Sequence, residues 1–213
     1  MTHNSEPGYF DTERQEIRPL VPENALTVLE VGCGAGRFLG SLRTPARRLV
    51  GIEPFEAAAV RARQQLDEVL CMPVELALPK LNERRFDCIV VNDVLEHLLD
   101  PWTILKRLRA LLTPSGCVVA SMPNSRHWSL IRGLWVDGDW TYQDAGLLDR
   151  THLRFFTPAS MKALFETSGL HIEHIQGIKV DVPPLKFRML SLLFCQRFNE
   201  LQYKQYAIRA SAS

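Results

Sequence analysis

The chain has 213 residues, 46% apolar and 23% charged, which suits one globular domain with a sizeable core and excludes a disordered tail or a short peptide. Lys and Arg number 25 against 24 Asp and Glu, so the net charge of +1 lacks the basic excess of a protein that coats nucleic acid. No apolar run reaches the roughly 18 residues of a membrane span, and Met1 to Asp11 has neither the basic start nor the apolar stretch of a signal peptide.

Cys33, Cys71, Cys88, Cys117 and Cys195 form no CxxC pair, and no His is placed to complete a zinc motif, so no metal ligand is assigned. A cytoplasmic protein with reduced thiols is expected. Thr27 to Val31 is short, apolar and β-branched; it runs into Gly32-Cys33-Gly34-Ala35-Gly36, after which Phe38, Leu39 and Leu42 fall at helical spacing. Arg48 to Ile52 reads as a second strand ending at Glu53-Pro54, followed by an alanine-rich helix over Glu56 to Leu66. Phe86 to Val91 has the near-continuous apolarity of a strand buried on both faces of a parallel sheet, and it ends at Asn92-Asp93.

Asp100 is placed to cap a helix whose first residue is Pro101, with Ile104, Leu105, Leu108, Leu111 and Leu112 on one side and Pro114 and Gly116 as its end. Cys117 to Met122 reads as the next strand. This alternation predicts an α/β fold with a Rossmann-like, doubly wound sheet. Residues 125–156 break the rhythm with three tryptophans and the run Asp149-Arg150-Thr151-His152, so they read as an inserted loop. Thr157 and Pro158 then open a helix stopped by Gly169; Leu170 to Val180 and Gln202 to Ala210 read as two last strands, with an apolar helix over about 185–198 between them. That helix either covers the sheet or forms the face of a homodimer.

A strand, glycine turn and helix in succession suggest a nucleotide-like ligand at the carboxyl edge of the sheet. Gly32, Gly34 and Gly36 make GxGxG; a dinucleotide fingerprint needs glycine where Arg37 stands, so a pyrophosphate site is disfavoured. Glu53 lies 21 residues beyond Gly32, placed to accept from both hydroxyls of a ribose. Glu30, inside the first strand, either accepts from the turn's own amides or meets a positively charged ligand.

These residues carry a resemblance. VLEVGCGAGRFL (Val28 to Leu39), GIEP (Gly51 to Pro54), FDCIVVNDVLEHLLDP (Phe86 to Pro101) and LLTPSGCVVASMPN (Leu111 to Asn124) resemble, in order, the motifs of class I S-adenosylmethionine (SAM) dependent methyltransferases. The resemblance covers nearly the whole chain and implies a single domain over residues 1–213, with seven strands, the last antiparallel. It implies that Gly32, Cys33, Gly34 and Gly36 border the amino-acid part of SAM, Glu53 and Pro54 the ribose, and Asn92 the sulfonium. Where many relatives carry an adenine-binding Asp this chain has Pro73, which shifts that contact to Val74 or Glu75. Relatives often close an N-terminal Tyr and Arg over the cofactor; here Tyr9 and Phe10 precede Arg14, whose fork suits the SAM carboxylate.

A hydroxyl acceptor needs a base, most often His, which contributes roughly 10²–10⁴-fold. His97, His127 and His152 are the candidates, with His152 favoured because it sits in the segment that interrupts the fold. Asp149 and Arg150 are expected to fix that loop or the acceptor, and Trp140 and Tyr142 either to pack as the loop's own core or to offer a stacking face. The motifs around His127 and His152 resemble a branch of bacterial methyltransferases found among glycan-synthesis genes, which implies a small or carrier-linked acceptor, with a sugar hydroxyl first. A quinone or phenol O-methyltransferase like those of ubiquinone synthesis is the alternative within the class. An inactive scaffold is the alternative outside it. No nucleic-acid partner is expected, since the fourth strand ends in NDVL (Asn92 to Leu95) and not in an NPPY-type tetrapeptide.

Overall fold

The computed structural model describes residues 14–185, 189 and 199–212. Tyr9, Phe10, Cys195 and most of the helix expected over 185–198 lie outside them. One seven-stranded sheet runs in the order β3-β2-β1-β4-β5-β7-β6. Its first four elements are β1 (Thr27–Val31), α1 (Arg37–Ser41), β2 (Arg48–Ile52) and α2 (Glu56–Ala62). The next are β3 (Glu68–Leu70), α3 (Val74–Ala77), β4 (Phe86–Asn92), α4 (Pro101–Arg109) and β5 (Leu112–Pro123). The last are α5 (Trp128–Arg132), α6 (Pro158–Thr167), β6 (Leu170–Val180) and β7 (Tyr203–Ala212). Strands β1 to β5 are parallel, while β7 runs antiparallel to both β5 and β6.

Strict alternation along the central strands sends successive side chains to opposite faces. Leu29, Val31, Ile89, Val91, Val118 and Ala120 pack on one face with α4 and α6. Val28, Cys88, Val90, Cys117 and Val119 pack on the other with α1 and the segment around Ile17 and Leu20. Both faces are covered, which is why these strands read as continuous apolar runs.

Two expected boundaries shift. The helix expected to reach Leu66 ends at Ala62, and Leu66 is buried from the turn that follows. Strand β5 starts at Leu112 and not at Cys117: Phe86 pairs with Leu112, the register slips, and Cys88 then pairs with Cys117. Pro114 and Gly116 therefore mark a bulge, where one strand carries extra residues, rather than a helix stop. A Cβ at Gly116 would lie 2.8 Å from the Phe86 carbonyl oxygen. The insertion is also more ordered than a loop, containing α5 and a π-helical turn over Gly133–Asp137.

The α6 cap is reciprocal: the Thr157 hydroxyl accepts from the Ser160 amide at 3.2 Å, and the Ser160 hydroxyl accepts from the Thr157 amide at 2.8 Å. Such a box satisfies two otherwise orphaned helix donors. Thr157→Ala should lower unfolding free energy by about 1 kcal/mol in urea titrations, with Thr157→Ser close to wild type; equal midpoints for all three would show that the cap contributes nothing.

Candidate functional site

The glycine turn is held by the neighbouring strand. Gly32 and Cys33 both donate to the Ile52 carbonyl, at 2.8 and 3.0 Å. Gly32, Gly34 and Gly36 take φ of 70°, 53° and 77°, the left-handed region that side chains disfavour. At Gly32 a Cβ would also lie 2.6 Å from Val94 Cγ2, so the turn sits directly against the exit of β4. Glu53 is buried at the end of β2, accepting from the Gly34 amide at 2.8 Å and the Phe55 amide at 2.9 Å. Each carboxylate oxygen keeps a further lone pair for a ligand hydroxyl. Cys33 is buried and faces inward: a Cβ at Gly51 would lie 2.5 Å from its sulfur. Val74 is a core residue, and Pro54 and Glu75 are exposed.

Glu30 does not accept from the turn's glycine amides, which was one of its two expected roles. Its Oε1 is 3.4 Å from the Asn92 side-chain nitrogen, its Oε2 has no partner, and Asn92 Oδ1 has none either. Burial pushes the Glu30 carboxyl up to about 8, against the opposing pull of the Arg14 charge and the Asn92 amide. Arg14 is engaged elsewhere: its guanidinium lies 2.6 Å from Asp93 Oδ2 and donates to the Ser121 hydroxyl at 3.2 Å. Asp93, at φ 49°, also accepts from Ser121 and Gln205. These bonds tie the amino-terminal segment to the carboxyl ends of β4 and β5 and to β7. Despite its burial, the Asp93 carboxyl is held below its usual range by Arg14 and Ser121.

A second cluster forms where the insertion returns. The Glu96 carbonyl accepts from Leu153 and Arg154 amides at 2.8 and 3.0 Å, and Ser125 donates to the Phe156 carbonyl at 2.8 Å. The insertion is thus pinned to the exits of both β4 and β5. This brings His152 onto His97, ring centroids 4.7 Å apart and edge to face. Glu96 is 1% exposed with neither carboxyl oxygen hydrogen-bonded, 4.0 Å from His152 Nε2. Burial, reinforced by the charge of Asp93, raises its carboxyl well above the usual range. Burial and the neighbouring His97 lower His152. Among the described residues, Glu96, His97 and His152 are also the one trio whose ligand-type atoms fall within 4.8 Å of one another; a carboxylate with two imidazoles is a donor set that suits a divalent transition metal.

Of the remaining expected residues, His127 and Arg150 are engaged away from this cluster, while Trp140 and Asp149 border it. His127 is fully buried as the N-cap of α5, accepting from Ser129 and lying 3.7 Å from Asp181, and burial lowers it to about 4. Trp140 stacks edge to face on Phe155, whose ring centroid is 6.4 Å from that of His152. Tyr142 is exposed, and Arg150 pairs with Asp144 at 2.6 Å inside the insertion. Asp149 is buried and bonded to Thr151.

A family model described as "Methyltransferase domain" matches residues 6–175. The chain belongs to this methyltransferase domain family. A ubiquinone biosynthesis O-methyltransferase of Bradyrhizobium diazoefficiens is 32% identical over 120 residues, covering 54% of this chain and 46% of that protein. The mitochondrial ubiquinone biosynthesis O-methyltransferase of Bos taurus is 26% identical over 172 residues, covering 76% and 45%. The chain thus spans about half the length of these curated relatives. A SAM-dependent methyltransferase from Archaeoglobus fulgidus superimposes with a TM-score of 0.68 at 17% identity, covering 92% of this chain and 90% of that one. The plantazolicin methyltransferase BamL, solved in complex with a triazolic desmethylPZN analog and S-adenosylhomocysteine, gives a TM-score of 0.62 at 17% identity, covering 89% of this chain and 78% of that one. The fold is therefore that of the class I SAM-dependent methyltransferases.

Within this methyltransferase fold, the sequence reading missed Asp93, Glu96, Ser121, Thr151 and Phe155. Asp93 and Glu96 had a signal, being charged residues at the exit of a buried strand; the other three join the site only through pairings distant in sequence.

The Glu30 shift has a stability consequence with a definite sign. Between its ordinary value of 4.5 and about 8 the folded state holds a proton that the unfolded chain has lost, so stability falls as pH rises through that window. At about 1.4 kcal/mol per pKa unit, the wild-type protein should lose at least about 2 kcal/mol more than Glu30→Gln between pH 5 and pH 8 in urea titrations. Parallel losses in the two proteins would mean that Arg14 keeps Glu30 ionised throughout.

Proposed function

We propose that the protein is a SAM-dependent O-methyltransferase acting on a phenolic or quinol-type hydroxyl, with His97 as the proton acceptor. The observation that carries the reading is the cluster at the exit of β4: His97, half-exposed, stands on a buried Glu96 and against His152, with Phe155 and Trp140 extending the wall. A planar aromatic acceptor suits such a wall. The names of the curated relatives support the same choice over the sugar hydroxyl that the insertion's motifs suggested. Burial argues for His97 over His152 as the base, because the acceptor must reach the ring.

The residues at the glycine turn fit SAM. Glu30 Oε2 and Asn92 Oδ1 are buried acceptors with no donor, on side chains that meet through Glu30 Oε1 and the Asn92 nitrogen, which suits the ammonium of the cofactor's amino-acid part. Glu53 has lone pairs left for the ribose hydroxyls, and the left-handed glycines keep side chains out of the approach. When bound, SAM supplies an electrophilic methyl group whose sulfur takes back the bonding electron pair. The protein's part is positioning and proton removal: as the acceptor oxygen forms its new C–O bond, the hydroxyl proton passes to His97. Residues 125–156 form the acceptor side of the site in a monomeric or homodimeric cytoplasmic enzyme. Among the described residues no helix is long and apolar enough to cross a membrane.

Titration calorimetry with S-adenosylhomocysteine should show micromolar binding that weakens at least tenfold in Glu53→Ala. With a simple catechol as acceptor, His97→Gln should lower kcat at least tenfold and leave product affinity within twofold. A folded protein that binds neither SAM nor its product would overturn the enzyme reading, and turnover of sugar nucleotides without turnover of catechol would restore the sugar hydroxyl.

A further inference from the structure

Asp149 lies at the head of a short chain of hydrogen bonds that ends on His97. The residue is 4% exposed, and one side-chain oxygen, Oδ1, accepts from the Thr151 amide at 2.8 Å and from the Thr151 hydroxyl at 2.6 Å. The first bond is an Asx turn, in which the side chain holds the backbone two residues on. The second commits the hydroxyl proton. A threonine hydroxyl has one donor and two acceptor lone pairs, so with its proton on a carboxylate the Thr151 oxygen can only accept.

His97 Nδ1 is 3.0 Å from that oxygen and 3.2 Å from the Thr151 carbonyl oxygen. Both are acceptors here. The Nδ1 atom must therefore carry a proton and donate, and in a neutral ring the lone pair then falls to Nε2. We infer that Asp149 and Thr151 are positioning residues for the reaction: through the Thr151 hydroxyl they lock His97 in the Nδ1–H tautomer, which makes Nε2 the nitrogen offered to the acceptor hydroxyl. This rests on the reading of His97 as the base and goes beyond it, because it assigns the nitrogen and names what fixes it.

The arrangement has the logic of a nucleophile–base–orienter set, where a third group holds the base in the productive tautomer and orientation. The orienting carboxylate here acts through a hydroxyl, and it reaches across from the insertion to a residue at the exit of β4. The Glu96 carbonyl bonds to Leu153 and Arg154 hold the two segments in register, so the contact does not depend on the side chains alone. Arg150, next in sequence, is spent on Asp144 and leaves Asp149 to Thr151. Among the described residues, Glu96 and His152 also lie against His97. Neither of these replaces the Thr151 acceptors at Nδ1.

The test reads the tautomer directly, by long-range ¹H–¹⁵N correlation on uniformly labelled protein at pH 8 with S-adenosylhomocysteine added. The wild-type His97 should show the pattern of a protonated Nδ1 and an unprotonated Nε2. Thr151→Val, which keeps shape and leaves the backbone carbonyl as the remaining acceptor but removes the nearer hydroxyl, should raise the Nε2–H fraction of the ring, the form a histidine prefers in water; Thr151→Ser should retain the wild-type pattern. Paired assays with SAM and catechol should give at least a tenfold lower kcat for Thr151→Val, with KM for SAM within twofold, and recovery to within threefold in Thr151→Ser. An Nε2–H ring in the wild type overturns the inference, as does a Thr151→Val protein whose ring stays as it was. A shifted tautomer with unchanged kcat overturns the catalytic role of the pair. Catechol left unmethylated by every variant, wild type included, counts against the proposed acceptor and leaves the tautomer result to decide the inference by itself.

Discussion

The pairing of β1 with β4 sets everything else at the carboxyl edge. Val28 to Val31 align with Cys88 to Val91, residue for residue, and β2 aligns with β1 in the same parallel sense. Parallel strands in register end together, so the glycine turn after β1, Glu53 after β2 and Asn92-Asp93 after β4 emerge side by side. Backbone groups in a sheet covered on both faces have no water to bond, and the ladder is the only place their bonds can go. Beyond Thr27, Arg48 and Asp87 at the amino ends, the polar side chains of these strands lie toward their carboxyl ends, where Glu30 meets Asn92.

That meeting explains why the edge is both buried and unsatisfied. A carboxyl without a donor is costly to bury in its ionised form, and the protein meets the cost in two ways. Asp93 stays ionised because Arg14, Ser121 and Gln205 supply charge and donors. Glu30 and Glu96 have too few donors and shift toward the protonated form. Three carboxyls within a few residues of the strand ends thus take different charge states from environment alone, the condition under which one site can hold a cation and handle a proton.

The sheet was legible in the sequence because its signal is local. Thr27 to Val31 and Arg48 to Ile52 have the observed boundaries, since apolar β-branched runs closed by Gly or Pro leave little choice of register. The helix cap at Asp100 was equally clear, its side chain accepting from the Thr103 amide. The start of β5 was not, because Pro114 and Gly116 interrupt a strand in the same way that they end a helix; only the bulged pairing with Phe86 distinguishes the two. The glycine turn and Glu53 could be placed from spacing. His97 and His152 could be named from their segments but not brought together, since their contact is fixed by the Glu96 carbonyl bonds across more than fifty residues.

The two halves of the site are joined by short backbone. Asn92 and Asp93 belong to the glycine-turn side, Glu96 and His97 to the proposed acceptor side, and a single 3-10 turn over Leu95–His97 carries the chain from one to the other, its core-facing Leu95 fully buried. The His97 amide donates to the Val94 carbonyl at 2.9 Å, and it is Val94 that fills the space a Gly32 side chain would need. A change at the glycine turn is therefore transmitted to His97 through one packed residue and one hydrogen bond. Methyl transfer needs the acceptor held in line with the donor to within a fraction of an ångström, and a rigid turn between the groups that hold each partner provides that constraint more economically than a mobile lid. On the proposed reading, the precision of the reaction is set by the exit of β4, while the insertion supplies the orientation of the proposed base.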